Sequence, residues 1–300
     1  MPLDEQTIIS AYANSNPEVL KARHILYPPM ENNQNNIINS IVETGWRVVA
    51  DTSRIDISPC TDDKPFIAQL GLLRNLDPAK LQRIPLYEFT GFPLSRVIIL
   101  IVLAVCLIFI VPLNLLPYLR KGEKLAAAPW MYFFAIGMGY MMIEVILIQQ
   151  YALFIGSTIY SVALVLTTML VFSGIGSRHS SLCSHKILFP AIALWLLADV
   201  FIFTRLFYLL GDWQFLPRII LSGILIAPAG YFMGMPFPKA ASKVPNLVDW
   251  AFAVNGSASV IGSVIVILIA SSFGYSFALA TAMVMYLFAH AMYASSIAKY

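Results

Sequence analysis

The distribution of apolar residues divides this 300-residue chain near residue 95. Residues 1–95 mix polar and apolar positions, whereas seven long apolar segments follow Arg96. Each segment is long enough to cross a hydrocarbon core of about 30 Å as an α-helix. The predicted spans are 97–118, 130–153, 157–175, 188–210, 218–236, 250–271 and 275–297.

The apolar segments lack the strict alternation of apolar and polar residues that the strands of a membrane β-barrel require. Helices are favoured because each one satisfies its own backbone hydrogen bonds in lipid. The pattern therefore predicts an all-α polytopic membrane protein with a seven-helix transmembrane domain at 96–300. The short SSFG sequence between the last two spans predicts a helical hairpin.

Composition agrees with a lipid environment. Hydrophobic residues make up 59% of the chain and charged residues only 12%, against about 25% charged residues in soluble domains. The net charge of +3 and the absence of any Lys/Arg-rich block argue against a nucleic-acid partner. Three widely separated cysteines form no Cys/His array, so no metal site is predicted.

Residues 1–95 predict a small, irregular α/β polar region. Residues 37–50 favour a short helix that ends at Gly45 and a strand after it, and 51–66 read as a loop. Residues 67–95 are interpreted as a linker with short helical turns on the membrane surface. So short a region buries a modest core at best, and we expect a partner protein to supply part of that core.

The basic residues of the loops predict the orientation in the membrane. By the positive-inside rule, the more basic side is cytoplasmic. This places the C-terminus on the cytoplasmic side of the plasma (inner) membrane and residues 1–95 on the outer side. Residues 1–15 have no apolar core, however, and do not predict a cleavable signal peptide, so the side of residues 1–95 stays open. The basic side holds Arg120, Lys121, Lys124, Arg178, Lys186, Lys239, Lys243 and Lys299, and the other side holds Arg83, Arg96 and Arg218.

Five motifs occur in order along residues 40–290. They are TDDKPF (61–66), GMGYMMIEVILIQQYALFIG (137–156), VFSGIGS (171–177), GMPFP (234–238) and WAFAVNGSASVIGS (250–263). In this order and spacing they resemble the C-terminal membrane part of the multi-spanning spermidine synthase-like (polyamine aminopropyltransferase-like) membrane proteins. The resemblance implies a polyamine-synthase-like Rossmann domain joined to membrane helices, with residues 1–95 as the tail of that domain.

The cofactor-binding part of that family has no counterpart in this chain. Its nucleoside cofactor binds at a Gly-rich loop after a first strand, and nothing in residues 1–95 fits that pattern. The two Gly-x-Gly strings, at 137–139 and 174–176, lie inside predicted spans and indicate helix packing. The acidic catalytic residue of the family is missing as well. We therefore expect no catalytic residue, no cofactor and no enzymatic activity for this chain alone.

Glu144, Asp199 and Arg205 lie well inside predicted spans, where a charge costs about 2.5–3.5 kcal/mol, and His290 lies past the middle of the seventh span. Glu144 lies near the middle of the second span, Asp199 at the middle of the fourth, and Arg205 about 9 Å further along. These spans run in the same direction, so the three residues predict an intramembrane polar cluster. The cluster is interpreted either as a proton or cation site or as an ion pair that fixes helix register. Gly137 and Tyr151 share a helical stripe with Glu144, which is therefore expected to face the bundle interior.

Small residues in the sixth span predict a close helix–helix contact. Asn255, Gly256, Ser259 and Gly262 belong to a run in which small residues recur every four positions. An asparagine in that run can donate a hydrogen bond across the contact. Helix packing is therefore favoured over a polar ligand site.

Two further features leave alternatives open. Asp62 and Asp63 lie in a loop, where they form a cation or interface site, a helix cap or a salt bridge to a neighbour. Gly230, Gly234, Pro236 and Pro238 are expected to interrupt the fifth span. Broken helices line binding sites in transporters, but a Pro-rich exit from the membrane explains the same residues.

Three functions fit these observations. The favoured one is a non-catalytic subunit or scaffold in the lipid membrane that docks a partner protein, either a synthase-like enzyme or a larger complex. The second is a carrier or channel for a small cation such as a polyamine, with Glu144 and Asp199 as binding groups. The third is the membrane half of a split aminopropyltransferase-like enzyme.

Overall fold

A computed structural model describes residues 37–66, 69–77, 86–119, 124–295 and 297. These residues divide into two compact units. One unit contains the described residues up to Pro59 together with Leu70–Pro93, and the other contains Cys60–Gln69 together with the chain from Leu94 onward. The Asn-rich stretch at 31–36 and the basic residues Arg83, Arg120, Lys121 and Lys299 of the orientation prediction lie outside the described ranges.

The first unit consists of two short helices, α1 (Ile37–Thr44) and α2 (Trp46–Ala50), and the 3₁₀ turns Leu73–Leu76 and Glu88–Thr90. Gly45, with a φ of 85°, separates the two helices. The strand predicted after Gly45 is therefore wrong, since residues 46–50 are helical. A strand needs a partner for its hydrogen bonds, and the described residues of this unit contain no strand.

Side-chain bonds to backbone carbonyls hold the first unit together. The Nδ2 atom of the buried Asn75 donates to the carbonyl oxygens of Arg54 (2.9 Å) and Gly91 (2.6 Å). The Arg74 guanidinium donates to the carbonyl oxygens of Ala50 (2.8 Å) and Asp51 (2.9 Å). These bonds connect segments far apart in sequence, as hydrogen bonds between strands connect the segments of a sheet.

The described part of the second unit contains seven helical spans that are long and apolar enough to cross a membrane, which confirms the predicted all-α polytopic fold. The fourth span is interrupted by a π-helical turn at Asp199–Phe203, and the fifth is divided at Gly234–Met235. Because of these two breaks, the seven spans comprise nine α-helices in the described residues. They are α3 (Leu94–Leu119), α4 (Ala127–Ile155), α5 (Thr158–Arg178), α6 (His185–Ala198), α7 (Thr204–Leu210), α8 (Phe215–Met233), α9 (Pro236–Ala241), α10 (Val248–Phe273) and α11 (Tyr275–Ser295).

Local chemistry explains several helix ends. Gly156 ends α4 in the left-handed conformation, with a φ of 82°, which glycine adopts without a steric penalty. Ser184 begins α6 as an N-cap, and its side chain accepts a hydrogen bond from the Lys186 amide. Gly274, with a φ of 96°, forms the tight connection between α10 and α11. The hairpin predicted at SSFG is therefore present.

Helix α4 lies at the centre of the bundle and is its most buried span. It makes its most extensive contacts with α10 and α11, while α5 packs mainly against α8. Large apolar side chains such as Phe201, Tyr208 and Leu216 remain exposed on the outside of the bundle. In a multi-pass membrane protein such a surface is in contact with lipid.

Candidate functional site

A cavity of about 870 Å³, here called the large cavity, lies between α4, α5, α8, α9, α10 and α11. Its volume falls within the range of about 300–1,000 Å³ that is typical of small-molecule sites. The described residues that line it include no Asp, Glu, Lys, Arg or His. The lining combines aromatic rings with neutral polar groups, among them Tyr140, Ser173, Phe237, Asn255, Ser259 and Tyr286.

The break between α8 and α9 forms part of the cavity wall. Pro236 and Pro238 have no N–H to donate to the preceding turn, so the helix cannot continue unchanged. Gly234 lies so close to the backbone of Ser173 that a Cβ atom would overlap the Ser173 carbonyl oxygen. The hydroxyl of the fully buried Tyr132 donates to the Pro236 carbonyl oxygen at 2.8 Å. The predicted interruption of the fifth span therefore borders a cavity.

Asn255 and Ser259 bridge α10 to α4. The Asn255 Nδ2 atom donates to the Phe133 carbonyl oxygen at 3.1 Å, and the Ser259 hydroxyl lies 3.3 Å from the Gly137 carbonyl oxygen. Both side chains also line the large cavity. The two side chains therefore make the predicted helix contact and also face the large cavity, while a polar ligand site at these positions stays a prediction.

The two glycines of this run differ in their surroundings. A Cβ atom on Gly262 would lie 2.7 Å from the Met138 carbonyl oxygen, so α10 approaches the α4 backbone closely there. A Cβ atom on Gly256 would meet nothing within 4 Å. Gly262 therefore lies in the predicted helix contact, whereas Gly256 faces away from it.

Glu144 lies on α4, one helical turn beyond Tyr140 of the large cavity. Residues four apart share a helix face, and the two side chains interact electrostatically. Glu144 is 8% exposed and makes no hydrogen bond with the described protein groups. It therefore faces the bundle interior, as predicted, one turn beyond the part of α4 that lines the large cavity.

Asp199 has different neighbours from those predicted. Its fully buried carboxylate lies beside the Gln150 amide and the Tyr151 hydroxyl of α4. Gln150 is six residues beyond Glu144, about 9 Å along the helix axis. Arg205 is exposed and forms no ion pair with either carboxylate in the part of the chain that the structure describes.

Glu144, Asp199 and Arg205 therefore do not form the predicted cluster. The prediction compared positions along two spans as if the middles of the spans lay at one depth. The axial offset of two helices is decided by how their side chains pack, and here it places Asp199 beside the carboxyl-terminal third of α4. Two separate carboxylates, each without a charged partner, take the place of a single shared site.

A second, smaller cavity of about 170 Å³, here called the small pocket, lies at the opposite end of the bundle. Residues near the loop between the fourth and fifth spans line it, whereas the large cavity borders the loop between the fifth and sixth spans. Consecutive loops lie at opposite ends of a helical bundle. The small pocket is lined by Asp62, Asp63, Gln150, Phe207, Arg218 and Tyr275, among others.

Asp63 caps the N-terminus of α11. Its Oδ1 atom accepts hydrogen bonds from the Ser276 amide (2.8 Å) and hydroxyl (2.7 Å), and its carbonyl oxygen accepts one from the Tyr275 amide (2.8 Å). A carboxylate at this position satisfies free N–H groups and interacts favourably with the helix dipole. Of the alternatives left by the sequence, Asp63 adopts the helix cap, while Asp62 is exposed at the small pocket.

The sequence did not predict that Gln150 and Tyr151 are the polar neighbours of Asp199. The available signal was a glutamine pair inside an apolar span, because such side chains seek hydrogen bonds across helices. The partner of Gln150 lies 49 positions away in sequence, and periodicity on one helix does not identify it. Packing alone brought Asp199 to this position.

Comparison with protein-family models, with curated proteins and with solved structures finds no match to this chain. The resemblance of its motifs to the spermidine synthase-like membrane proteins therefore stays a prediction. Among the described residues, no group of three His, Cys, Asp or Glu side chains is placed to hold a metal ion. The described membrane-spanning part of the chain is a bundle of seven helical spans with a cavity at each end.

Proposed function

We propose that this chain is a membrane carrier for a small organic amine, of which polyamines are the favoured class. The observation that carries the proposal is the pair of cavities that border opposite ends of one helical bundle. Between them lies the segment of α4 that carries Glu144. A carrier needs a binding group that can be reached from either side in turn, and this arrangement supplies one.

The chemistry of the large cavity supports an amine as the ligand. Tyr140, Phe237, Phe252 and Tyr286 offer aromatic rings, and a cation within about 6 Å of a ring face is attracted to it. Glu144, one turn deeper, has no cationic partner among the described residues. An alkylammonium group supplies the missing charge, while its methylene chain lies against the aromatic walls.

The divided fifth span also fits a carrier. Discontinuous helices line the binding sites of many transporters, where the ends of the half-helices and the unwound backbone between them face the substrate and its coupling ions. Here the break at Gly234–Met235 borders the large cavity. In the proposed plasma membrane orientation, with the C-terminus in the cytoplasm, Lys239 and Lys243 place the mouth of this cavity on the cytoplasmic side.

Uptake of radiolabelled spermidine into liposomes that contain the purified chain tests the proposal. We expect Glu144→Gln to reduce the initial uptake rate at least about tenfold, because a neutral amide loses the ionic attraction to the amine. Glu43→Gln is the matched control, since it makes the same chemical change at an exposed site in the first unit. Size-exclusion chromatography shows whether each variant stays folded.

Two results would count against the carrier. The first is wild-type uptake no greater than that of empty liposomes. The second is a well-folded Glu144→Gln variant that takes up spermidine as fast as the Glu43→Gln control. The second result would also remove Glu144 as the binding group, whatever the cargo.

A second candidate function, a membrane subunit that docks a partner protein, is supported by α3. Its most apolar stretch, at a mean hydropathy of 3.1, contains no buried residue. Phe109 and Ile108 on this helix are 66% and 67% exposed. A helix so little covered by its own chain offers a whole surface to lipid or to another membrane protein.

Site-specific photo-crosslinking in native membranes tests the subunit proposal. A crosslinker at Phe109 is expected to give one discrete protein adduct if a partner covers α3. Tyr208, which is 84% exposed on α7, serves as the control position and is expected to crosslink to lipid alone. Lipid adducts at both positions would refute a partner on α3. The third candidate, a split aminopropyltransferase-like enzyme, rests on the motif resemblance alone.

A further inference from the structure

We infer that Asp199, Gln150 and Tyr151 form a binding site for a small monovalent cation, Na⁺ or a proton, separate from Glu144. The inference deepens the proposed carrier function, since a second cation at this site would couple to movement of the amine. It assigns the small pocket as the entry to that site. The binding itself is tested below without reference to transport.

The first argument is a cluster of buried oxygen atoms. Both carboxylate oxygens of Asp199, the Oε1 atom of Gln150 and the hydroxyl of Tyr151 are sealed from solvent and form no hydrogen bond of good geometry with the described residues, although the Gln150 amide lies beside the carboxylate. Buried polar groups in proteins are nearly always paired. Several such oxygen atoms on adjacent side chains are therefore suited to a positively charged ligand.

The second argument is charge. Asp199 is fully buried within the membrane-spanning bundle, and no described Lys, Arg or His side chain forms an ion pair with it. Arg218 lines the small pocket, but its Nη1 atom donates to the Phe154 carbonyl oxygen at 2.8 Å. Tyr151 is the titratable group that interacts with Asp199, and it is neutral near pH 7. One negative charge matches one monovalent cation.

The third argument is access. Gln150 and Thr204 both line the small pocket, and each is adjacent to Asp199. The Gln150 amide lies beside the carboxylate, and the Thr204 hydroxyl donates to the Asp199 carbonyl oxygen at 3.3 Å. Asp62 and Asp63 outweigh the single positive charge of Arg218 in the lining of the pocket, and the excess of negative charge attracts cations. A cation entering the small pocket therefore reaches Asp199 by way of Gln150.

The backbone at Asp199 is also unusual. Residues Asp199–Phe203 form a π-helical turn between α6 and α7. Such turns insert an extra residue into a helix and occur frequently at functional sites. Here the turn begins at the residue that bears the buried carboxylate.

The ligand set favours a small ion over a larger or divalent one. Carboxylate, amide and hydroxyl oxygens are hard ligands that suit alkali cations and protons rather than soft transition metals. A divalent ion would be left with excess positive charge beside a single carboxylate. The pocket of about 170 Å³ is also far smaller than the large cavity, so the two sites are suited to cations of different size.

Thermal unfolding of the intact, detergent-purified chain tests the site. One arm varies NaCl against choline chloride at fixed pH, and the other varies pH from about 8 to about 5.5 without Na⁺. We expect one arm to raise the apparent unfolding temperature by roughly 3 °C at a tenfold excess of the cation over its dissociation constant. The responding arm identifies the cation as Na⁺ or as a proton.

Two variants distinguish the site from a general stabilising effect. Asp199→Asn is expected to abolish the response, and Tyr151→Phe, which keeps the ring, to weaken the apparent affinity about tenfold. Glu43→Gln, at an exposed site in the first unit, is expected to respond as the wild type does. A wild type that responds to neither arm, or an Asp199→Asn variant that responds fully, would overturn the inference. An Asp199-dependent response without spermidine uptake would uphold the site and refute the carrier.

Discussion

Replacing Gly274 by alanine is expected to lower the apparent unfolding temperature of the purified protein by roughly 5–10 °C. Gly274 connects α10 to α11 with φ 96° and ψ 170°, a conformation that is essentially restricted to glycine. A Cβ atom there would also overlap the Oδ2 atom of Asp63. Backbone strain costs about 1–3 kcal/mol, and loss of the Asp63 cap adds about 1 kcal/mol.

Two variants separate these contributions. Gly156→Ala changes another loop glycine with a positive φ, but its Cβ atom would meet nothing within 4 Å, so only moderate backbone strain of about 1 kcal/mol is expected. Asp63→Ala removes the cap and leaves Gly274 unstrained, and we expect a loss of about 1 kcal/mol. If Gly274→Ala were no more destabilising than Gly156→Ala, the proposed collision with Asp63 would be wrong.

The second large effect is expected at Gly262, where α10 contacts the backbone of α4. Gly262→Ala places a methyl group 2.7 Å from the Met138 carbonyl oxygen, so the two central helices must move apart. Overpacking of this kind costs about 1–3 kcal/mol. The displacement also weakens the hydrogen bonds from Asn255 and Ser259 to α4, which depend on the same close approach.

The matched control lies on the same helix. Gly256→Ala adds a methyl group where the structure has open space, and it removes the conformational entropy penalty of a helical glycine. We expect Gly256→Ala to be neutral or slightly stabilising, by up to about 1 kcal/mol. Thermal unfolding of both variants in one detergent makes the comparison. Equal destabilisation by both substitutions would show that neither glycine is specific to the helix contact.

Much of the membrane architecture was accessible from the sequence. Seven apolar segments, the hairpin at SSFG and the interruption near Gly234 each depend on chemistry within one short segment. Length and apolar composition decide whether a helix can span lipid, and proline decides where its backbone bonding fails. The strand predicted after Gly45 failed because strand pairing is not local.

The candidate sites were less accessible. The sequence identified Glu144 and Asp199 as costly in an apolar span, and it placed Glu144 correctly on the inner face of its helix. It also predicted that both carboxylates lie close to Arg205, but the described residues contain no ion pair between Arg205 and either carboxylate. Inner and outer faces follow from the periodicity of one helix, whereas partners across helices depend on axial offset and rotation.

Seven apolar helices with ionisable groups inside them were therefore predictable from local sequence. The packed fold was needed to show that Asp199 lies with Gln150 and Tyr151, that Asp63 caps a helix 213 positions later, and that a cavity borders each end of the bundle. One cause explains each of these cases. Burial and helix formation are settled within a few turns of chain, but the neighbours of a buried polar group are settled by the packing of whole helices.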